Sequence, residues 1–394
     1  MKRWIAFFAC LIFLFTMCAC SSNEEETRRK DHASASLSAV GDIFLTQQQM
    51  DDAKQPDGSY QFFRQLEDVI VPLSQADVTI GNFEGNFSDF DFDATRGSYP
   101  AELARDLHKV GFDVLQTANS YSIFNGVSSL EMTKRTIQDN GMKAIGTYVS
   151  TKDRDHNQVV IRDANGVRFA FVAFTKGVGN LSIPEESGCS VDLLYKDYST
   201  DYTEINEGYI LNVLKKAKNL APDVIVAAVH WGSEGQDQIS ETQQQIADLL
   251  VNNGVDVVLG SHSHVVMPIE RRTVKFEDGT KKDCIIAYGL GDFSAAGEGE
   301  CNSSIILNLN FSRHGNQTKI SEYSYIPISA VDRGVEYADR YSVMMTQEEI
   351  SLYEGNYFDR VNEDVYEQMV NDLESVRKKL DAPYPPEEPT ETKE

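Results

Sequence analysis

Short apolar runs alternate along the chain with longer stretches whose apolar positions recur every three to four residues. Runs at 37–40, 78–80 and 114–117 read as buried strands, and they lead into Gly41-Asp42, Asn82-Phe83-Glu84 and Asn119. Between them, residues 62–73, 101–110 and 128–140 carry helical periodicity, the last ended by Gly141, and a strand follows at 143–146. Asn165-Gly166, flanked by 158–161 and 168–174, is a two-residue hairpin signal because both positions accept a positive φ, so the sheet is predicted to be mixed. In the second half, helices at 210–219 and 243–253 alternate with strands at 223–230 and 255–260, followed by antiparallel strands at 284–288, 304–310 and 320–327. Beyond residue 328 the pattern turns helical and acidic (347–353, 362–380) and ends in a Pro/Glu-rich tail, 381–394, of disordered composition. There is no internal repeat. Alternation of this kind predicts an α/β (α+β) fold whose strand ends host the chemistry.

The first residues change the picture of where the domain works. Met1-Lys2-Arg3 is a short basic start, and the apolar stretch 4–19 is short for a spanning helix and right for a signal peptide. Met17-Cys18-Ala19-Cys20 resembles a bacterial lipobox, with Met17 in place of the usual Leu. This predicts a signal peptide at 1–19, a lipid on Cys20, and an extracytoplasmic protein anchored to the cell membrane. Residues 20–36 are almost free of apolar side chains and read as a polar stalk, leaving 37–328 as the main domain and 329–380 as a helical extension. A formal charge of −25 argues against a nucleic-acid partner, which needs clustered Lys and Arg. Cys189, Cys284 and Cys301 have spacings unlike a zinc framework; one disulfide is allowed but not demanded.

Three of the seven histidines fall in His230-Trp231-Gly232-Ser233-Glu234 and Gly260-Ser261-His262-Ser263-His264, each directly after a predicted strand. Neutral imidazoles converging at sheet ends are what a borderline transition metal requires. Asp42, Asn82, Glu84, Asn119, His230, His262 and His264 all follow apolar runs. Together they form an oxygen and nitrogen set large enough for two divalent ions, of Mn, Fe or Zn, with a carboxylate between them. Taken singly each has a plainer role: a helix cap for Asp42, a solvated acid for Glu84, a turn residue for Asn119. Their joint placement carries the weight.

These motifs, with Thr117-Ala118-Asn119 and Tyr288-Gly289-Leu290-Gly291-Asp292-Phe293, resemble bacterial capsule synthesis proteins of the CapA, poly-gamma-glutamate capsule type over roughly 36–328. That family is related to the calcineurin-like metallophosphoesterases. The resemblance implies a two-layered mixed β-sandwich flanked by helices, with a dinuclear centre at one edge. Asp42 would hold one metal, Glu84 would bridge, His230 and His262 would hold the second, and His264 would return to the first. Partners implied are capsule synthesis or export membrane proteins and an anionic envelope polymer.

The chain also departs from the family pattern. Phe44 stands where the wider phosphoesterases carry a His. Asn119-Ser120-Tyr121 replaces Asn-Asn-His, Asn125 replaces an Asp, and Asp292 replaces an Asn. Ser120 is a poor ligand, Asn119 lies one position early as its substitute, and Tyr121, with a reference pKa of about 10, is no cation at neutral pH. Tyr121 and Asp292 are therefore the candidates for altered catalytic roles. Two readings remain: a surface hydrolase in which divalent ions activate water and polarise a phosphoester or another anionic ester or amide, and a non-catalytic scaffold with a vestigial or structural centre. A solute-binding lipoprotein fits the signal but leaves the histidines unexplained.

Overall fold

The computed structural model describes residues 32–89, 92–297 and 303–381. The predicted signal peptide, Cys20, most of the stalk, the tail beyond Asp381 and Cys301 lie outside them. Cys189 and Cys284 are buried and free.

The first part of the chain supplies strands β1 (His32–Ile43), β2 (Val78–Phe83), β3 (Asn86–Ser88), β4 (Ser98–Pro100), β5 (Val114–Gln116), β6 (Lys143–Ile145) and β7 (Thr147–Tyr148). The middle supplies β8 (Val160–Ala164), β9 (Val167–Thr175), β10 (Ser190–Val191), β11 (Val224–His230) and β12 (Val257–Ser261). The remainder adds β13 (Ile269–Lys275), β14 (Lys281–Ala287), β15 (Ser303–His314), β16 (Gln317–Asp332) and β17 (Tyr341–Met345). Two large sheets result, ordered β17-β16-β15-β1-β2-β5-β6 and β13-β14-β12-β11-β9-β8. In the first, β1, β2, β5 and β6 run parallel, while β15, β16 and β17 extend it antiparallel from β1. In the second, β9, β11, β12 and β14 are parallel, with β8 and β13 as antiparallel edges.

Alternation along the strands makes the sandwich. Leu37, Ala39, Val78, Ile80 and Leu307 of the first sheet pack with Phe169, Phe171, Val226, Ala228 and Leu259 of the second in one buried cluster. The intervening residues face outward under helices. Ala170, Val172, Ile225, Ala227 and Val258 meet Ile210, Leu214, Ala247 and Leu250 of the helices Glu207–Asn219 and Glu241–Asn252. Val40, Ile43 and Leu115 meet Leu103, Leu107 and Val110 of the helix Glu102–Val110. The observed fold is the expected two-layered mixed sandwich flanked by helices. The Asn165-Gly166 turn joins β8 to β9 as predicted, with φ of 47° and 87°.

Three boundaries move. The stalk was expected to run to residue 36, but β1 begins at His32 and its first residues pair with β15, His32 opposite His314 and Ser34 opposite Ser312. A partner strand satisfies that backbone, so the segment needs little apolar character of its own. Residue 328 was expected to end the domain, yet it falls inside β16, and β17 extends the same sheet before the helices Thr346–Glu354 and Glu363–Leu380 pack on it through Val331, Met344, Ile350 and Met369. The helix expected over 62–73 is a 3-10 helix, Phe63–Val69, continued by the α-helix Ile70–Ser74, and the Asp106 carboxylate takes the Phe62 and Phe63 N–H groups at 2.9 and 3.2 Å. Among the described residues no helix is long and apolar enough to cross a membrane.

Candidate metal centre

The parallel strands of both sheets end at one rim of the sandwich. Asp42 lies near the end of β1, Glu84 just past β2, His230 ends β11, His262 and His264 follow β12, and Asp292 lies beyond β14. His230 continues the Val224, Val226, Ala228 series that faces the opposing sheet. A register shift between Ala39 and Asp42 redirects the end of β1. There the Asp42 N–H donates to the Gly291 carbonyl at 3.0 Å, and the Phe293 N–H to the Asp42 carbonyl at 2.8 Å. Only a glycine permits this approach, since a Cβ at Gly41 would sit 1.9 Å from the Gly291 oxygen. His262 and His264 have φ of +85° and +59°, left-handed conformations that cost of order 1 kcal/mol or more and concentrate at functional sites.

Two triads of ligand atoms form at this rim, Glu84-His230-His262 and Asp42-Glu84-His264, each with its atoms within 4.8 Å of one another and with Glu84 common to both. Exposed Glu234 makes a third with His262 and His264. The hydrogen bonds fix orientation. Asn82 Nδ2 donates to Asp42 Oδ1 at 2.6 Å and to Glu84 Oε2 at 3.1 Å, holding two buried carboxylates side by side. Thr175 Oγ1 donates to the Gly177 carbonyl, so it accepts from His230 Nδ1–H at 3.2 Å, which leaves Nε2 facing Glu84 Oε1 at 3.0 Å. A lone pair facing a carboxylate oxygen needs a proton or a cation between them.

Electrostatics make the same demand. Burial first, then Glu84, raises the Asp42 carboxyl to about 6. Burial also disfavours an ionised Glu84, but His230 and the other imidazoles outweigh it and hold that carboxyl at about 2. Burial, reinforced by His230, keeps His262 neutral down to about 2, and its buried Nδ1 has no hydrogen-bond partner among the described residues. A neutral imidazole with an unused buried nitrogen, beside two carboxylates that repel, fits a divalent cation. His264 is different. Burial opposes its charge, but Asp292, at 2.7 Å from Nδ1, together with Asp42 and Glu84 raises it to about 11, while burial lifts Asp292 to about 8.

Asp42, Glu84, His230, His262 and His264 are thus brought together. Asp292 touches the group through His264, and its place there is that of a residue fixing the imidazole. Asn119 stands behind the rim. Its Nδ2 donates to Asn82 Oδ1 at 3.0 Å and to the Phe83 carbonyl at 2.6 Å, and its Oδ1 accepts from the Tyr121 N–H at 3.0 Å. These contacts make Asn119 the holder of Asn82. Tyr121 is half-buried at the rim, and burial, then Glu84 and Glu234, raises its hydroxyl above the usual value, so it remains an O–H donor. Asn125 bonds Asn86 Oδ1 at 3.2 Å and the Arg96 carbonyl at 2.9 Å, a structural position. Trp231 is buried, stacks on Tyr288, and donates to its carbonyl at 3.0 Å, locking β11 to β14. Thr175 and Lys176 gave no sequence signal, because β9 ends without a recognisable motif.

The family model for "Bacterial capsule synthesis protein PGA_cap" matches residues 36–296. A capsule biosynthesis protein CapA from Bacillus anthracis is 24% identical over 279 residues, 68% of this chain and 61% of the relative. A PGA biosynthesis protein CapA from Bacillus subtilis (strain 168) is 25% identical over 267 residues, 66% of this chain and 62% of the relative. The chain spans about six-tenths of the length of these curated relatives. Among solved structures, it is similar to a calcineurin-like phosphoesterase YfkN from Bacillus subtilis at TM-score 0.44 and 13% identity, covering 88% of this chain and 99% of that one. A phosphatase from Mycoplasma pneumoniae superposes at TM-score 0.43 with 11% identity, covering 75% of this chain and 94% of that one. Superpositions this loose carry no weight. The sequence match does, since it runs from within β1 through the Gly291-Asp292-Phe293 segment and takes in every residue gathered at the rim: the chain belongs to the bacterial capsule synthesis protein family PGA_cap.

Proposed function

We propose that this protein is a lipid-anchored, extracytoplasmic hydrolase that uses divalent metal ions, two in number, to cleave a phosphoester or another anionic ester or amide during synthesis, anchoring or export of a polyglutamate-like capsule. The observation that carries the reading is the pair of triads sharing Glu84, with a partnerless nitrogen on His262. Asp42 and Glu84 with His264 would hold one ion, and Glu84 with His230 and His262 the other. Bound there, such ions supply Lewis acidity and lower the pKa of water toward neutrality. The chain's own groups do the rest. Asn82 keeps Asp42 and Glu84 from rotating apart, Thr175 fixes the His230 tautomer, and Asp292 fixes that of His264. The Tyr121 hydroxyl, held protonated, offers an O–H to a leaving oxygen where relatives of this site use an imidazole. The capsule assignment draws on the family and on the names of its Bacillus members. Metal analysis of protein purified without chelator, paired with hydrolysis of a phosphoester, tests the proposal: about two equivalents of metal with turnover lost on chelation support it, and protein that takes up no metal sinks it.

A second reading, a scaffold that binds metal without turnover, is favoured by one departure. Asn119 is engaged by protein on both amide atoms, and Ser120-Tyr121 supplies neither an amide ligand nor a proton donor titrating near neutrality. Restoring Ser120→Asn with Tyr121→His separates the two. General acid assistance contributes about 10² to 10⁴ in rate, so a rise of at least about tenfold marks a weakened enzyme. No rise in folded, metal-loaded protein marks a scaffold.

A further inference from the structure

Lys176 follows the last residue of β9 and is tied to the strand end that carries His230. Its backbone N–H donates to the His230 carbonyl at 2.8 Å, and its ammonium donates to the Gly232 carbonyl at 2.6 Å. The ammonium also lies 4.8 Å from the centroid of the Tyr202 ring. The side chain is half-buried, and no carboxylate of the described residues forms an ion pair with it. Burial lowers its pKa below the usual lysine value, while Glu234, which meets His262 and His264 at the rim, favours the charged form.

No carboxylate reaches Lys176 among the described residues, although the chain carries 61 acidic and 36 basic side chains. An ammonium has three donors, and the contacts above give one to a carbonyl and one face to a ring. Leaving it partly desolvated without a carboxylate is unfavourable unless something else meets it. The neighbouring strand end is rich in carboxylates. Asp42, Glu84, Asp292 and Glu234 lie about the ligand nitrogens and offset part of the charge of any bound cations, so a nearby ammonium adds to the attraction for an approaching anion. Phosphate oxygens accept from an ammonium more strongly than a carbonyl does, because the bond is charge-assisted.

We propose that Lys176 is the binding residue for an oxyanion of the substrate, a phosphate-type group seated between its ammonium and the metal centre. The substrate class rests on the hydrolase reading; the anion site does not. Lys176 then orients the charged end of the ester. A merely structural lysine, clamping Gly232 to hold the His230 turn, would behave differently on substitution, since its loss would disturb the metal.

The test uses the full chain loaded with metal, titrated calorimetrically with inorganic phosphate and assayed with p-nitrophenyl phosphate. Lys176→Gln is expected to weaken phosphate binding by about tenfold or more, the loss of one charged hydrogen bond. It should raise KM with little change in kcat and leave bound metal and Tm unaltered, while Lys176→Arg restores most of the affinity. Equal phosphate affinity in Lys176→Gln and the natural chain overturns the proposal, as does a loss of affinity accompanied by loss of metal. Absence of phosphate binding in the natural chain overturns it as well. If phosphate binding depends on Lys176 while ester is never cleaved, the hydrolase reading falls and the anion site stands.

Discussion

His262 carries two local costs, a backbone at φ +85° and a buried Nδ1 without a partner. Each is of order 1–3 kcal/mol, and a ligand that binds only the folded state offsets such costs. Adding metal to the natural protein at about 100 times its Kd should therefore stabilise it by roughly 2.7 kcal/mol. His262→Ala is expected to remove most of that gain and to lower bound metal; a thermal melt with and without chelator, alongside metal content, checks both. A second residue acts through pH. Asp192 is fully buried and accepts from the Tyr148 hydroxyl at 2.8 Å, from Gln158 Nε2 at 3.1 Å and from the Tyr209 hydroxyl. Burial, only partly countered by these donors, raises its carboxyl to about 6 from 3.8. The folded chain thus holds this proton more tightly than the unfolded one. The contribution is fully present below about pH 4 and is lost as pH rises through about 6, at no more than ~1.4 kcal/mol per pH unit. Asp192→Asn should flatten that part of the pH profile, measured by urea unfolding between pH 4 and 7.

At the scale of elements, the site depends on how strands end and helices begin. The helix Glu241–Asn252 starts with a capping box, the Ser240 side chain accepting from the Gln243 N–H at 3.2 Å while Gln243 Oε1 accepts from the Ser240 N–H at 3.0 Å. Ser240→Ala should cost about 1 kcal/mol and leave metal content alone, because the Ser240 hydroxyl bonds Gln243 and none of the ligands. Gly260 is a harsher position. A Cβ there would meet the Tyr288 carbonyl oxygen at 2.1 Å and Trp231 Nε1 at 2.7 Å, displacing the bond that locks β11 to β14. Gly260→Ala is expected to cost more than the cap, about 1–3 kcal/mol or above, and to reduce bound metal because His262 lies two residues on. Denaturant midpoints of the two variants, compared with their metal content, separate a general loss of stability from a misplaced strand end.

At the scale of the whole molecule, both sheets contribute ligands, Asp42 and Glu84 from one and His230, His262 and His264 from the other. The centre therefore joins the two layers, and chelation should lower the unfolding temperature of the entire sandwich as one transition. Two transitions after chelation would show that the layers are stable separately. The proposed lipid on Cys20 concerns a segment outside the described residues. Cys20→Ala is expected to release the protein from the membrane fraction, and a mature N-terminus other than residue 20, read by mass spectrometry, would refute that anchor.

Period and strand-end polarity were legible in the chain. Runs such as 223–230 and 255–260 read as strands, because their apolar residues run almost unbroken over too few positions for a helix, and His230 and His262 follow at their ends. Residues 165–166 had to turn, because Asn and Gly accept positive φ. Local sequence could not reveal features whose cause lies far along the chain. Residues 32–36 are a strand only because β15, nearly 280 residues later, satisfies their backbone, and β17 is part of the sheet only because β16 lies beside it. Asn119 read as a ligand from its place at a strand end, and only the fold shows its amide bonded to Asn82, Phe83 and Tyr121. Thr175 and Lys176 carried no signal, since their meaning comes from the neighbouring strand that places His230 and Gly232 beside them. The sequence determined which residues can bind a cation; the packing of two sheets face to face decided which of them meet.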